Sequence, residues 1–186
     1  MTPTPKDKSF YDTYFAHDPE YSKPYKDSIY YDMWYKVMLL LKTYAVKHVI
    51  SLGCGPGQFA AMLRDKCPIG YIGVDFSTEA IKMARANNAG TRFIECDFMS
   101  SFDRIKYRIT DSVVILETLE HVDDVALITM IPAGTKIFFT VPNFDADAHM
   151  RTYNSVNYIL ERLGGLIEFH HCEKFQAFYI CVGERK

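Results

Sequence analysis

HVISLGCGPGQFAAML, His48 to Leu63, decides how the rest of the chain is read. Val49 to Leu52 has the composition of a buried strand and Gln58 to Leu63 is a run of helix formers, so Gly53, Gly55 and Gly57 fall in a strand-to-helix turn. Glycine suits such a turn because the backbone can take conformations closed to other residues, and a ligand can approach the main chain without meeting a Cβ. A nucleotide or nucleoside is the ligand that fits. Cys54, inside the turn, reads as a small residue filling a crowded bend beside that ligand rather than as a nucleophile.

On either side of this turn the chain alternates between strand and helix signals. Strands are expected near 48–53, 70–75, 92–96, 111–116 and 136–141, and helices near 57–66, 77–88, 119–130 and 147–163. Almost wholly apolar strands in this order predict an α/β fold: a Rossmann-like, mostly parallel sheet with helices on both faces. Right-handed crossovers then line up the C-terminal ends of the strands along one edge. The tail breaks the alternation, since "LIEFHHCEKF" and "QAFYICVGE" are strand-like runs with no helix between them, which predicts an antiparallel C-terminal hairpin at the sheet margin. His170 and His171 within it read as structural or exposed rather than catalytic.

Ahead of the first strand, Met33, Val37, Leu40, Leu41 and Tyr44 recur at spacings of three and four, the pattern of an amphipathic helix over 28–44. Residues 1–27 carry Pro3, Pro5, Pro19 and Pro24 and read as a loose arm. Tyr11, Tyr14, Phe15, Tyr21 and Tyr25 are many aromatics for a tail, and they would serve either as surface cover or as a lid over a ligand. The expected division is therefore an arm, 1–27, and one domain, 28–186.

A chain of 186 residues with 48% hydrophobic and 24% charged residues has the composition of one globular domain with a substantial core. Its net charge of -2 offers no electrostatic footprint for a long nucleic acid. No apolar run reaches the length of a membrane span and "MTPTPKDKSF" is polar, so a soluble cytoplasmic protein is expected. Five scattered cysteines without a CxxC pair read as reduced core thiols.

Asp75 closes the second strand, "YIGVDFS", where a carboxylate can accept both hydroxyls of a ribose held over the glycine turn, with Phe76 against the adenine and Ser77 as the better helix cap. Asp97 and Phe98 close the third strand, "RFIECDF", on the same edge, where an acid can take the adenine amino group and an aromatic ring can pack the base. The ligand is then an adenosine. The dinucleotide pattern GxGxxG wants a third glycine where this chain has Gln58, and the pattern here is GxGxG.

With "LGCGPG", "VDFS", "ECDF" and "VVILETLEHV" in that order, and "FFTVPNF" as a fifth strand, the chain resembles the class I S-adenosylmethionine-dependent methyltransferases, most of all the small ubiquinone-type enzymes that act on metabolites. The resemblance implies a seven-stranded sheet with one antiparallel strand. It implies that Gly53, Gly55 and Gly57 border the methionine part of the cofactor, that Asp75 binds the ribose, that Asp97 and Phe98 hold the adenine, and that Leu116 and Glu117 run beneath the sulfonium.

Methyl transfer asks a protein mainly to align a nucleophile with the methyl group and to exclude water. "LETLEHVDD" after the fourth strand lacks the Asn/Asp-Pro-Pro-Tyr/Phe of related amino-group methyltransferases, and Glu120 and His121 stand where the acceptor should approach, with histidine a suitable base for a hydroxyl. O-methylation of a small molecule is the first choice. Glu117, Glu120 and His121 also resemble the Glu-x-x-Glu-His of small-RNA 3′-end methyltransferases and ubiquinone O-methyltransferases, which leaves a divalent metal open but not favoured. In "VPNFDADAHMRTY", Asn143, Asp145, His149 and Arg151 gather polar groups where a substrate would lie. An RNA-end 2′-O-methyltransferase and a cofactor-binding, non-catalytic partner subunit remain the alternatives.

Overall fold

A computed structural model describes residues 4–109 and 111–186; residues 1–3, with the Pro3 of the arm, and Thr110 lie outside it. Seven strands form one sheet: β1 (His48–Leu52), β2 (Gly70–Asp75), β3 (Arg92–Glu95), β4 (Ser112–Leu116), β5 (Lys136–Pro142), β6 (Ile167–Phe175) and β7 (Phe178–Arg185). Their order is β3-β2-β1-β4-β5-β7-β6, with β1 to β5 parallel and β7 antiparallel to both neighbours. The hairpin and the single antiparallel strand are as expected from the sequence. Gln176 turns the hairpin in the left-handed region at φ 54°, and a register shift between Phe169 and His171 bends β6.

Period-two burial divides the core. On β4, Val113 and Ile115 point into the layer containing Leu127, Ile128, Ile159 and Leu163 from α6 (Asp124–Met130) and α7 (Val156–Leu163). Val114 and Leu116 point the other way, onto Met33, Val37 and Leu41 of α2 (Tyr31–Thr43) and Phe59 and Leu63 of α3 (Gln58–Lys66). The remaining helices are α1 (Lys8–His17), α4 (Thr78–Asn87) and the short α5 (Phe98–Ser101). No helix among the described residues is long and apolar enough to cross a membrane.

Three expectations need correction. The arm is not loose: Asp7 caps α1 by accepting from Phe10 N at 2.9 Å, and 3-10 turns follow at Pro19–Ser22 and Tyr25–Asp27. Pro5 precedes the cap and Pro19 opens the next turn, so these prolines bound helical segments instead of blocking them. The helix expected over 147–163 begins only at Val156, where the Ser155 hydroxyl accepts from Tyr158 N at 3.0 Å. Tertiary bonds hold the preceding segment out of a helix: Met150 N donates to Glu120 O at 2.7 Å and the buried Tyr153 donates to Asp124 at 2.6 Å. Finally, the helix expected over 119–130 is split into a 3-10 turn, Leu119–His121, and α6, which Asp123 caps at Ala126 N.

Candidate active site

The C-terminal ends of β1 to β4 open onto a cavity of about 1140 Å³. Gly53 and Gly57 take φ of 73° and 79°, a conformation that favours glycine; a Cβ at Gly53 would collide with Thr118, and one at Gly57 with Asn88. The turn is tied to β2 because Gly53 N and Cys54 N both donate to Val74 O, at 2.9 and 3.0 Å. Burial and the charge of Asp75 push the Cys54 thiol up, so it keeps its proton.

Asp75, 4% exposed, accepts from Gly55 N at 2.9 Å and Ser77 N at 3.0 Å. Burial outweighs those bonds and pushes its pKa up to about 6. Ser77 caps α4 through Ala80 N. Phe76 lines the cavity beside it. Asp97 is exposed and caps α5, accepting from Met99 N at 2.9 Å, while Phe98 is buried in the core with one side on the cavity.

Past β4 the environment changes. Leu116 lines the floor, and Glu117 follows in the left-handed region at φ 49°, held by its N–H to the Thr140 hydroxyl at 3.1 Å. One carboxyl oxygen of Glu117 and one of Glu120 are buried without a partner. Burial pushes Glu117 up to about 8, and burial together with the charge of Glu117 pushes Glu120 well above its ordinary value. The Nδ1 of His121 lies 3.0 Å from Ala148 O; a carbonyl only accepts, so Nδ1 carries the proton and Nε2 keeps its lone pair, 3.6 Å from Glu120 Oε1. Burial lowers the His121 pKa to about 4. The ring of His149 stands 5.0 Å away, its Nδ1 buried without a partner. Ligand atoms of Glu120, His121 and His149 lie within 4.8 Å of one another.

Two residues expected to meet the acceptor belong instead to the scaffold. Asn143 braces the hairpin turn: its amide, oriented to satisfy both ends, donates to Ala177 O at 2.9 Å and accepts from Lys174 Nζ at 2.8 Å. Arg151 donates to Leu119 O at 2.7 Å and Val122 O at 2.5 Å, clamping the loop after β4, because its fork finds unpaired carbonyls there. Neither lines the cavity, whereas His149 does.

Helix α1 lies against the cavity mouth. Its Asp12 accepts from the Ser77 hydroxyl at 2.6 Å and Glu79 N at 3.1 Å, and Lys8 pairs with Glu95 at 2.5 Å. Tyr11 packs edge-on to Phe76 at 5.3 Å and to His121 at 5.8 Å, its hydroxyl buried without a partner. Tyr30 and Trp34 also line the cavity; in the sequence their helical spacing gives them the look of core residues.

A family model of a methyltransferase domain matches residues 49–133. No curated protein matches the chain. A protein from Pyrococcus horikoshii OT3 shares the fold with a TM-score of 0.70 at 18% identity, over 94% of this chain and 99% of its own. Magnesium protoporphyrin IX methyltransferase from Synechocystis PCC 6803, solved with bound S-adenosylmethionine, superposes with a TM-score of 0.67 at 16% identity, over 97% of this chain and 98% of its own. The cyclase SpnF reaches a TM-score of 0.72 at 13% identity, over 100% of this chain and 97% of its own, so the likeness between whole chains carries the fold and not the activity. The matched methyltransferase domain, seated on this sheet with the GxGxG turn at its edge, supports a class I S-adenosylmethionine-dependent methyltransferase.

Proposed function

We propose that the chain moves the methyl group of S-adenosylmethionine to the oxygen of a small-molecule hydroxyl. The observation that carries this is the single free lone pair of His121, Nε2, held neutral by burial at the cavity floor beside Glu120. An acceptor hydroxyl placed there can pass its proton to that nitrogen as its oxygen attacks. Glu120, with one oxygen 3.6 Å from Nε2 and the other without a partner, can steady the acceptor there.

Bound S-adenosylmethionine supplies the electrophilic methyl carbon. The chain's own residues bind and orient it. Each oxygen of Asp75 takes one backbone N–H and retains room for a ribose hydroxyl. Asp97 takes the adenine amino group, Phe76 and Phe98 pack the ring, and the turn from Gly53 through Cys54 and Gly55 to Gly57, with Leu116 and Glu117, receives the methionine end. Residues 1–27 act as the cover over the bound pair, with α1 excluding water from the transfer. A small acceptor, in a cytoplasmic protein that uses neither a membrane nor a long nucleic acid, is consistent with the net charge of -2.

A divalent ion is a second reading, favoured by the grouping of Glu120, His121 and His149. Imidazole and carboxylate donors suit such an ion, and the unpartnered atoms of Glu120 and His149 fit it. These three residues would hold the ion, which would lower the pKa of an acceptor hydroxyl. Activity that survives EDTA removes this reading. His121→Ala should lower methyl transfer about a hundredfold while S-adenosylhomocysteine affinity stays unchanged. Unchanged turnover, or a product methylated on nitrogen by mass spectrometry, would overturn O-methylation with His121 as base; binding without any turnover would favour a partner subunit.

A further inference from the structure

The acceptor end of the cavity is ringed by aromatic side chains. On one side Tyr11 packs against Phe15 at 6.3 Å, and Phe15 against Tyr21 at 4.8 Å. Tyr21 and Tyr30 both line the cavity next along this wall. Tyr30 then continues to Phe178 at 6.0 Å and Phe178 to Phe144 at 6.3 Å. Phe144 stands 5.9 Å from His149, which leads through His121 back to Tyr11, so aromatic rings flank the cavity on both sides with Phe178 packed behind them. Trp34 backs Tyr30 at 5.5 Å.

The acids Glu117 and Glu120 line the cavity beside this collar, with Arg151 behind Glu120 and its fork held by the Leu119 and Val122 carbonyls. Glu120 is 1% exposed, and one of its oxygens has no partner. Its charge is felt by both Tyr11 and Tyr30, on opposite arcs of the ring, and that of Glu117 by Tyr30. Asp123 and Asp147 stand on the same walls. The cations that line the cavity, Lys6, Lys8 and Arg104, serve the other side: Lys8 pairs with Glu95 at the end of β3, Lys6 lies over Phe10, and Arg104 stands by Cys96.

We propose that the methyl acceptor is a hydroxyl-bearing organic cation, an amine or quaternary ammonium compound, whose positive group sits within the aromatic collar facing Glu120. This rests on the methyl-transfer reading above and adds the class of substrate. An anionic acceptor would meet buried acids, and the Arg151 guanidinium behind Glu120 is already committed to two backbone carbonyls and Asp124. A neutral hydroxyl could bond to the unpartnered Glu120 oxygen but would gain nothing from the ring faces, and a bare metal ion would have no use for the collar. Among acceptors, an organic cation uses both features, through attraction to the ring faces and to the buried acid.

Trp34 is the only tryptophan in the chain and serves as the reporter. The protein, saturated with S-adenosylhomocysteine and kept in EDTA, is titrated with choline, with its uncharged isostere dimethylbutanol, and with lactate, following Trp34 fluorescence. Choline should bind at least tenfold more tightly than dimethylbutanol, lactate should not bind, and Glu120→Gln should erase the preference. Equal or tighter binding of dimethylbutanol, any binding of lactate, or no response to choline overturns the proposal. Failure of S-adenosylhomocysteine to bind by calorimetry would instead strike the methyltransferase reading, which the choline titration leaves untouched.

Discussion

Asp124, the first residue of α6, and Glu120, in the 3-10 turn before it, stand four residues apart beyond β4, both essentially without solvent exposure, and their surroundings are opposite. Asp124 accepts from Tyr153 at 2.6 Å and from both sides of the Arg162 fork at 2.6 and 2.7 Å, with Arg151 at 3.4 Å. Burial pushes its pKa up, but the bonds from Arg162 and Tyr153 outweigh burial and hold it below its ordinary value. Glu120 has an oxygen without a partner, and burial and Glu117 drive it the other way. A buried acid that anchors a scaffold is surrounded by donors from the chain itself. One whose donors are missing is arranged for a group that arrives from outside.

The largest effect should come from the paired acid. Asp124→Ala strands Arg162 and Tyr153 and should cost about 3–5 kcal/mol in denaturant unfolding. Because the folded pKa of Asp124 is depressed, the stability it provides is present above its unfolded value and lost as pH falls through the folded one. Glu120→Gln removes no pair and should leave stability within about 0.5 kcal/mol of the parent. Equal losses from the two substitutions would mean that both acids are scaffold.

Asp75 lies between these extremes, with backbone donors in place and room for more. Asp75→Ala should weaken S-adenosylhomocysteine by about 2–3 kcal/mol in calorimetry, the worth of two charge-assisted bonds. The same acid should make binding sensitive to pH. Its free-state pKa of about 6 means that it protonates as pH falls below that value, and binding needs the ionised form. Affinity should therefore be flat above pH 6 and fall up to about tenfold per unit below it, about 1.4 kcal/mol. Asp75→Asn should flatten the profile; a slope that persists in that variant would place the titrating group elsewhere.

The legibility of the sequence follows the same divide. Strands β1, β2, β4 and β5 are mostly apolar runs that match their expected bounds within about one residue, because burial leaves little room for another pattern; the edge strand β3, with Arg92 and Glu95 exposed, is shorter but falls at its expected place in the alternation. Gly53, Asp75 and Asp97 announced themselves because a short-range pattern, strand then turn then helix, carries their placement. Asn143 and Arg151 misled because polarity next to a strand end says nothing about which carbonyl a side chain will find; their partners lie 34 and 32 or 29 positions away. The helix α1 was hidden for the same reason: its anchors, Ser77 and Glu79, lie more than sixty residues downstream. His149 was singled out as a substrate residue, but its approach to His121 depends on the fold of the segment that Tyr153 pins.

The smallest expected effect concerns that helix. None of the residues of α1 is fully buried, though Tyr11 packs on Phe76 and His121 and Phe15 on Tyr21, and Asp12 is its main polar anchor on α4. Asp12→Ala removes two bonds at a partly exposed site and leaves the Ser77 cap on Ala80 N intact, so global stability should change by less than about 1 kcal/mol. Docking of α1 should loosen nonetheless, since Lys8 to Glu95 is an exposed pair and cannot hold the helix by itself. If α1 covers the bound cofactor, stopped-flow dissociation of S-adenosylhomocysteine should quicken severalfold in Asp12→Ala, while the association rate stays the same or rises. Hydrogen exchange over Lys8–His17 should speed in parallel, with exchange in β4 unchanged. An unaltered dissociation rate alongside faster exchange in α1 would show that the helix opens without releasing the ligand, and the cover would then have to be sought among Tyr21, Tyr30 and Trp34 behind it.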